Sequence, residues 1–342
     1  MWQRLCQEIK QTLVDLVEIK FSVIVCAHNP RGASINQTLD GLKRQNLPKD
    51  QWELLLVDNR SDEPLAALWD LSWHPNGRHV REDELGLTPA RLRGIREVQG
   101  SLILFVDDDN ILAPDYLEVA LKIHNSHPSL GCFGAGIISP EFETEPEPEL
   151  LPYTRSLALR NEAEPIWSND PNRRPRPCGA GLVTRCDVAL EYEKQLSARA
   201  DNSTLDRKGG LLLSGGDDEF SFIACAMGYG QGVFPELTMT HIIPSERVSE
   251  DYLARLREGI AYSSVLVKQR YGIPFRHPEP EPAARNILKH LLHVRPGRLY
   301  RECRRLWELS RVPETQAKME LATRNGTRKA CEKLREEVVK FK

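Results

Sequence analysis

Short unbroken runs of apolar residues alternate, along the first part of the chain, with a segment of helical periodicity. The runs are FSVIVCA (Phe21–Ala27), WELLLVDN (Trp52–Asn59) and Ser101–Val106, and helical spacing lies between the first two, over Asn36–Gln45. Strands that do not alternate with polar residues are typical of a parallel sheet covered by helices on both faces. The pattern therefore predicts an α/β fold with a mixed, mostly parallel central sheet flanked by helices.

Further elements are predicted on both sides of this region. Met1–Ile19 has apolar residues at helical spacing, which predicts an amphipathic lead-in helix. Downstream, CGAGLVTR (Cys178–Arg185) and Gly232–Ile243 predict two more strands. Two proline-dense stretches, Glu141–Pro152 and Ser168–Pro177, predict loops. The sheet should thus continue beyond its first three strands.

A third proline-rich stretch, FRHPEPEPAA, separates the main body from the C-terminal tail. We expect a lead-in helix at 1–20, a main domain at 21–274, a linker at 275–284 and a basic helical extension at 285–342. From Glu281 to Lys342 the tail has twice as many basic as acidic residues, although the whole chain has a net charge of −3. Two interpretations stay open: a helical hairpin packed on the main domain, or a basic amphipathic surface that binds an anionic membrane.

Composition excludes several classes of protein. The net charge argues against a dedicated nucleic-acid-binding protein. The eight cysteines are scattered and form no C-x-x-C pair, which indicates reduced thiols in a cytosolic protein. No apolar run approaches the roughly 20 residues that span a bilayer, and the N-terminal sequence is too polar for a secretory signal. We expect a cytoplasmic protein, peripheral on the inner face of the membrane if the tail binds lipid.

Three carboxylates, Asp107–Asp109, directly follow a buried run. Adjacent carboxylates disfavour one another unless a cation shares them. Because side chains alternate along an extended chain, we expect Asp107 and Asp109 to point the same way and to share a divalent cation. The alternative is that Asp109 or Asn110 caps a helix running from Pro114.

A second acidic cluster, Asp217–Glu219, follows two glycines and opens a segment of helical periodicity, Phe220–Met227. A carboxylate at the end of a rigid helix can serve as a general base toward a hydroxyl group. We assign that role to Asp218, and we expect Asp217 and Gly216 to contact the acceptor. The alternative is that these acids only favour the helix N-terminus through its dipole.

Three other residues are candidates for ligand contacts. His241 suits a manganese-like ion as a third protein ligand beside an acidic site, with a purely structural histidine as the alternative. Asp58 could accept hydrogen bonds from a nucleobase or ribose, or close a turn with the polar residues after it. Arg91 offers forked donors for phosphate oxygens, or lies on a solvated helix face. No P-loop or dinucleotide fingerprint is present, so a metal would have to hold any phosphates.

The segments VIVCAHN, LLLVDNRSDE, ARLRGI, LFVDDDN and GGDDEF, in this order and spacing, resemble the family 2 inverting glycosyltransferases with the GT-A fold. The resemblance covers about Phe21 to Gly272. It implies a nucleotide-diphosphate sugar donor, a UDP-sugar in our expectation, a Mn²⁺ or Mg²⁺ cofactor, and a glycan or lipid-linked acceptor. The run HIIPSERVSEDYLARLREG further resembles members that build bacterial surface polysaccharides.

The resemblance also implies roles for individual residues. Asp107 and Asp109 match the family's D-x-D motif, and Asp218 matches its catalytic base. Leu92 replaces a common asparagine, and Asp217 replaces a commoner glutamate, which shortens the arm that holds the acceptor. The expected metal ligands are Asp109, Asp107 and His241. The expected contacts to the nucleotide sugar are Ala27, His28, Asn29, Asp58, Arg91, Asp107 and Asp108.

The implied reaction is a single displacement at the anomeric carbon, with Asp218 taking the proton of the acceptor hydroxyl and the metal stabilising the departing diphosphate. Configuration would invert because only one face of the sugar is attacked. Two other classes stay open. A sugar nucleotidyltransferase would attack phosphorus instead, but AHNPRGAS is a poor version of its basic, glycine-rich loop. A non-catalytic nucleotide-sugar-binding module is disfavoured because both acidic clusters are present.

Overall fold

The computed structural model describes residues 19–173, 176–199, 212–275 and 313–340. In these residues the strands are β1 (Phe21–Ala27), β2 (Trp52–Asn59), β3 (Gly77–Glu82), β4 (Leu102–Asp107), β5 (Asn110–Leu112), β6 (Leu130–Phe142), β7 (Arg160–Asn161), β8 (Ile166–Ser168), β9 (Leu182–Arg185) and β10 (Gly230–Ile243). The helices are α1 (Gly32–Lys43), α2 (Leu65–Leu68), α3 (Leu87–Arg96), α4 (Tyr116–Ser126), α5 (Cys186–Ser197), α6 (Gly216–Ala226), α7 (Glu250–Arg270) and α8 (Glu314–Lys340).

The strands of the described residues form one ten-stranded sheet. Its order is β3-β2-β1-β4-β9-β6-β10-β5, with β7 beside β6 and β8 beside β10. The first four strands of this order are mutually parallel. Strand β9 runs antiparallel to both β4 and β6, and β10 is parallel to β6. The longer strands β1–β4, β6 and β10 therefore share one direction, which confirms the predicted mixed, mostly parallel α/β sheet.

The apolar runs of the sequence form the buried centre of this sheet. Every residue of β2 is buried, and β4 is buried from Leu102 through Val106. Trp52, at the start of β2, and Phe105, in β4, are among the largest fully buried side chains. Strands buried on both faces need no polar alternation, which explains why unbroken runs predicted them.

Several predicted boundaries shift in the structure. Helix α1 begins one turn before the predicted Asn36–Gln45. The strand predicted from Cys178 begins only at Leu182, because Gly181 adopts a positive φ of +72° that ends the preceding turn. The loop predicted from Glu141 begins later, since β6 extends to Phe142. Met227, predicted on the apolar face of its helix, is the helix C-cap and 39% exposed.

Contacts within the chain divide it into two compact units. The first comprises the described residues of Met1–Thr144, Leu157–Leu211 and Gly215–Ser245. The second comprises those of Glu145–Ser156, Leu212–Ser214 and Glu246–Lys342. The domain boundaries predicted from the sequence stay predictions. The lead-in helix at Met1–Ile19 lies almost wholly outside the described residues, as do the linker and the tail up to residue 312.

In the second unit, α7 packs lengthwise against α8. Gly326 of α8 lies so close to the backbone of Glu258 that a Cβ atom would collide with it. Lys318 of α8 also joins the two helices, with Nζ 2.8 Å from Glu250 and 2.6 Å from Asp251. The basic extension thus includes a long helix, as predicted.

All six cysteines within the described residues are free thiols. Among the helices of the same residues, none combines the length and the apolar character that crossing a bilayer requires.

Candidate active site

The carboxyl ends of β1, β2 and β4 lie side by side and carry the predicted polar residues. The strand register places Ala27 beside Asp58 and Cys26 beside Asp107. His28 and Asn29 follow β1 directly, and both are exposed. Parallel strands end at a common edge, where α/β proteins bind ligands. The structure thus brings the residues predicted to line the nucleotide pocket to one rim of the sheet.

Hydrogen bonds tie the loop after β1 to the loop after β2. Asn29 has a positive φ of +46°, and its backbone N–H donates to Ser61 Oγ at 3.0 Å. Its side chain exchanges two hydrogen bonds with Asp62, one of 3.0 Å to Oδ2 and one of 2.9 Å from the backbone N–H. His28 Nδ1 lies 2.9 Å from the carbonyl oxygen of Asn59. These contacts join the loops after β1 and β2 at the rim.

Asp58 closes the turn after β2. Its Oδ1 accepts from Ser61 N–H at 2.8 Å, and its Oδ2 accepts from Leu65 N–H at 3.2 Å and from Arg81 Nη1 at 2.7 Å. Burial opposes ionisation of this carboxyl group, but the hydrogen bonds from Ser61, Arg81 and Leu65 outweigh it and lower its pKa. The turn-closing alternative is therefore what the structure contains, and contact with a nucleobase stays a proposal.

The acidic triplet does not lie along one extended strand. Strand β4 ends at Asp107, and Asp108 and Asp109 form the turn that leads into β5. The expected side-by-side alternation of Asp107 and Asp109 is wrong, because strand geometry stops before the second of them. The capping alternative is wrong as well: α4 begins at Tyr116 with Asp115 as its N-cap residue, and Asn110 belongs to a strand.

Asp109 instead faces His241 of β10. His241 Nε2 lies 3.5 Å from Asp109 Oδ2, and the backbone carbonyl of Asp109 accepts from Ile242 N–H at 2.9 Å. His241 Nδ1 lies 2.9 Å from the carbonyl oxygen of Leu157. A carbonyl oxygen can only accept, so Nδ1 carries the hydrogen and, in the neutral ring, the lone pair is on Nε2, toward Asp109.

This donor set fits a divalent cation. A carboxylate oxygen and an imidazole nitrogen are ligands that Mn²⁺ accepts, and a second ring nitrogen bonded to a backbone carbonyl is usual for metal-binding histidines. Within residues 19–173, 176–199, 212–275 and 313–340, no cluster of three or more His, Cys, Asp or Glu side chains is placed to hold a metal. Asp107 is therefore not brought together with Asp109 and His241 as a third ligand.

Each carboxylate that opens α6 has an arginine partner from a different part of the chain. All three acids lie in the first turn of α6, where the helix dipole favours negative charge, as the alternative interpretation expects. The predicted base and its neighbours are in addition paired with guanidinium groups. The closest distances are 2.6 Å for Arg91–Asp217, 2.6 Å for Arg176–Asp218 and 2.9 Å for Arg199–Glu219.

Arg91 was predicted as a phosphate ligand, and the structure places it against Asp217. Only 2% of its side chain is exposed, and its guanidinium lies 5.4 Å from the ring centre of Phe105 in β4. Gly179 lies directly against this ion pair, so that a Cβ atom at residue 179 would collide with both Arg91 and Asp217. The sequence did not identify Gly179, because no neighbouring residue indicates that this glycine contacts an ion pair formed by distant parts of the chain.

Arg176 and Arg199 were also missed. Arg176 belongs to the proline- and arginine-rich stretch SNDPNRRPRP, which was interpreted only as a loop. That composition was the available signal, since closely spaced arginines are suited to distant carboxylates. The partner of Arg176 lies 42 residues further along the chain.

The segment Gly179–Gly181 connects the two acidic clusters. Gly181 N–H donates to the carbonyl of Phe105 at 3.1 Å, two residues before Asp107, and its own carbonyl accepts from Tyr116 Oη at 2.6 Å. A Cβ atom on Gly181 would lie 2.8 Å from the sulfur of Met239, two residues before His241. The acids after β4, those opening α6 and His241 of β10 thus share one neighbourhood.

Comparison with known proteins relates part of this chain to glycosyltransferases. Residues 22–179 match the family described as Glycosyl transferase family 2. The match covers the rim loops, the acidic triplet and Gly179, and it ends before α6 and β10.

Two curated relatives match part of the chain. The poly(ribitol-phosphate) beta-N-acetylglucosaminyltransferase TarS of Staphylococcus aureus is 28% identical over 146 residues, which is 39% of this chain and 25% of the relative. The glucosyl-dolichyl phosphate glucuronosyltransferase of Haloferax volcanii is 23% identical over 137 residues, 39% of this chain and 42% of the relative. The matched regions thus span less than half the length of either relative.

Among solved structures, the mannosyltransferase PcManGT of Pyrobaculum calidifontis, in complex with GDP-Man and Mn²⁺, has a TM-score of 0.57 and 17% identity. The alignment covers 91% of this chain and 87% of that one. This likeness agrees with the predicted GT-A fold, which the strand order and flanking helices also show. Residues 22–179, just under half of this chain, thus match the glycosyl transferase family 2 model.

Proposed function

We propose that this chain is a metal-dependent, inverting glycosyltransferase that moves a sugar from a nucleotide-diphosphate sugar to a hydroxyl group of a glycan or lipid-linked acceptor. The observation that carries the proposal is the pair Asp109 and His241, 3.5 Å apart at the carboxyl edge of a family 2 domain. Its donor atoms suit a divalent cation, and the tautomer of His241 is held by Leu157.

The donor is proposed to bind along the rim formed by Ala27–Asn29 and Asp58, with its diphosphate toward Asp109. A UDP-sugar is the donor we expect. The names of the two curated relatives support the acceptor class, since one is named for a poly(ribitol-phosphate) and the other for a dolichyl phosphate. A polymeric or lipid-linked acceptor is consistent with both names, and bacterial surface polysaccharide synthesis is the setting that we propose for it.

Asp218 is the proposed general base. Arg176 binds both of its oxygens, at 2.6 and 2.9 Å. A carboxylate has about four lone-pair positions, so pairing with Arg176 does not by itself prevent Asp218 from accepting the hydroxyl proton of an acceptor. The ion pair engages Asp218 as a carboxylate, which is the form that a general base needs. A single attack from that side of the sugar inverts the configuration at the anomeric carbon.

Asp217 and Arg91 form the adjacent wall of the proposed sugar pocket. Arg91 is almost fully buried and its Nη1 donates to Asp217, so we propose that the pair orients the hydroxyl groups of donor or acceptor. Mn²⁺ or Mg²⁺, when bound by Asp109 and His241, would stabilise the negative charge that grows on the departing diphosphate. The chain's own residues then supply positioning and proton transfer.

The test is metal-dependent turnover of nucleotide sugars by the full chain. A panel of UDP- and GDP-sugars is incubated with Mn²⁺, with Mg²⁺ and with EDTA, and release of nucleoside diphosphate is measured. We expect release with metal and none with EDTA. Asp109→Asn should abolish the metal-stimulated release of nucleoside diphosphate. Asp115→Asn, which changes an exposed carboxylate just before α4, should leave that release unchanged.

Two outcomes would overturn the proposal. Formation of pyrophosphate from a sugar 1-phosphate and a nucleoside triphosphate would identify a nucleotidyltransferase, which attacks phosphorus instead of carbon. Binding of a nucleotide sugar without hydrolysis or transfer under any metal condition would identify a binding module without catalysis.

A further inference from the structure

Asn110 is a fully buried polar residue at the centre of the proposed metal site. It is the first residue of β5, has 0% of its surface exposed, and lies directly opposite His241 in the antiparallel pairing of β5 with β10. Burial of an amide side chain is unfavourable unless both of its polar atoms are bonded. In Asn110 both are.

The two hydrogen bonds of this side chain connect the ends of the acidic triplet. Oδ1 of Asn110 accepts from the backbone N–H of Asp107 at 3.2 Å. Its Nδ2 donates to Oδ1 of Asp109 at 3.0 Å. One amide thus closes the turn between β4 and β5 and binds one oxygen of the Asp109 carboxylate.

The geometry leaves the second oxygen of that carboxylate facing His241. Asp109 Oδ2 is the atom 3.5 Å from His241 Nε2, while Oδ1 is held by Asn110. The backbone of Asp109 is fixed separately, through its hydrogen bond with Ile242. Asn110 thus binds one oxygen of the carboxylate, and the sheet fixes the backbone that carries it.

We propose that Asn110 is a positioning residue for the divalent cation: it orients Asp109 so that Oδ2, and not Oδ1, is presented together with His241 Nε2. This inference depends on the proposed function, because it requires the cation. An asparagine suits the role because it donates to a carboxylate and accepts from a backbone N–H at once, with a side chain short enough for both. Aspartate has no donor when ionised, and serine is too short to bond both partners.

The experiment measures Mn²⁺ binding by the full chain in the absence of any nucleotide sugar. Isothermal titration with Mn²⁺ alone is carried out on the wild type, Asn110→Asp and Asn110→Ser, and the thermal midpoint of each protein is recorded in EDTA. Partners that orient metal ligands typically change metal affinity by about 10- to 100-fold, and we expect a weakening in that range for both variants. Asn76→Asp is the matched control. Asn76 donates to the carbonyl of Trp52 at 3.3 Å, at the start of β2 and therefore at the end of the strand away from the rim.

A purely structural role would lower the thermal midpoint in EDTA and leave the Mn²⁺ affinity of the folded protein unchanged. Such a result would overturn the positioning role while leaving the proposed function intact. If the wild type binds no Mn²⁺ and shows no metal-dependent turnover, the proposed function fails and the inference fails with it. If the added charge of Asn110→Asp prevents folding, the Mn²⁺ affinity of Asn110→Ser, which adds no charge, decides the test.

Discussion

Arg176 and Asp218 form a side-on ion pair, with Arg176 Nε 2.6 Å from Oδ1 and Nη2 2.9 Å from Oδ2. The guanidinium is itself held in place: Nη1 donates to the carbonyl of Pro171 at 2.9 Å, and Cζ lies 5.4 Å from the ring centre of Phe222. A rigid fork of this kind sets the direction of the carboxylate it binds. The loop before β9 thus governs the residue proposed as the base.

Replacing Asp218 with asparagine should separate substrate binding from proton transfer. Asp218→Asn keeps the shape of the side chain and one oxygen for Arg176, but it cannot accept the hydroxyl proton. We expect turnover to fall by about 10²- to 10⁴-fold, the usual contribution of a positioned base. Titration calorimetry with the nucleotide sugar should show little change in its Kd, and Asp115→Asn serves as the control. Full transfer activity in Asp218→Asn would remove the assignment.

Gly179 is predicted to tolerate no side chain. Gly179→Ala would place a Cβ atom against Arg91 and Asp217, and at least one of them would have to move. Overpacking of this kind typically costs about 1–3 kcal/mol of unfolding free energy, and displacement of the ion pair should also reduce turnover. Urea denaturation and steady-state rates measure the two effects.

A glycine in open space provides the comparison for this variant. Gly32, at the start of α1, has no heavy atom within 4 Å of the added Cβ. Gly32→Ala should therefore be neutral or slightly stabilising, since alanine is the better helix former. Equal stability and activity of Gly179→Ala and Gly32→Ala would show that the contact at Gly179 is not restrictive.

Asp58 should contribute stability that depends on pH. Its pKa is lowered in the folded protein from the usual 3.8. Its contribution to the free energy of unfolding is therefore complete above pH 3.8 and is lost as the pH falls through the pKa of the folded state. We expect Asp58→Asn to destabilise the protein at pH 7 by about 1–3 kcal/mol, because hydrogen bonds to a buried carboxylate are removed. The difference in unfolding free energy between the wild type and Asp58→Asn should be smaller at pH 3 than at pH 7. Urea denaturation at pH 7 and pH 3 measures it, and a difference that is constant with pH would contradict the prediction.

Glu219 is predicted to be structural and not catalytic. Its side chain is 1% exposed and bonded to Arg199 at 2.9 Å. Glu219→Ala leaves that arginine without this partner, and we expect a loss of about 2 kcal/mol in unfolding free energy. Glu118 forms an exposed pair with Lys122 within α4, so Glu118→Ala should cost less than about 0.5 kcal/mol. Equal effects of the two variants on thermal unfolding would contradict this distinction.

Local patterns in the sequence were enough to find the central strands and the acidic segments. Unbroken apolar runs predicted β1, β2 and β4 closely, with Trp52–Asn59 matching β2 at both ends. The two glycines before Asp217 marked the start of α6. These features depend on hydrophobic periodicity and on backbone preferences of residues a few positions apart, and such preferences can be interpreted without knowing the fold.

The partners of the acidic residues could not be found in that way. Arg91 and Asp217 are 126 residues apart, and the order of β4, β9 and β6 in the sheet is what brings their segments together. The predicted sharing of a cation by Asp107 and Asp109 assumed an extended chain, but the chain turns at Asp108. Asp109 therefore lies beside His241, next to the pairing of β5 with β10. Ion pairs form between residues that are close in space and produce no periodic pattern in the sequence. For that reason only the tertiary structure shows which arginine or histidine pairs with each acid.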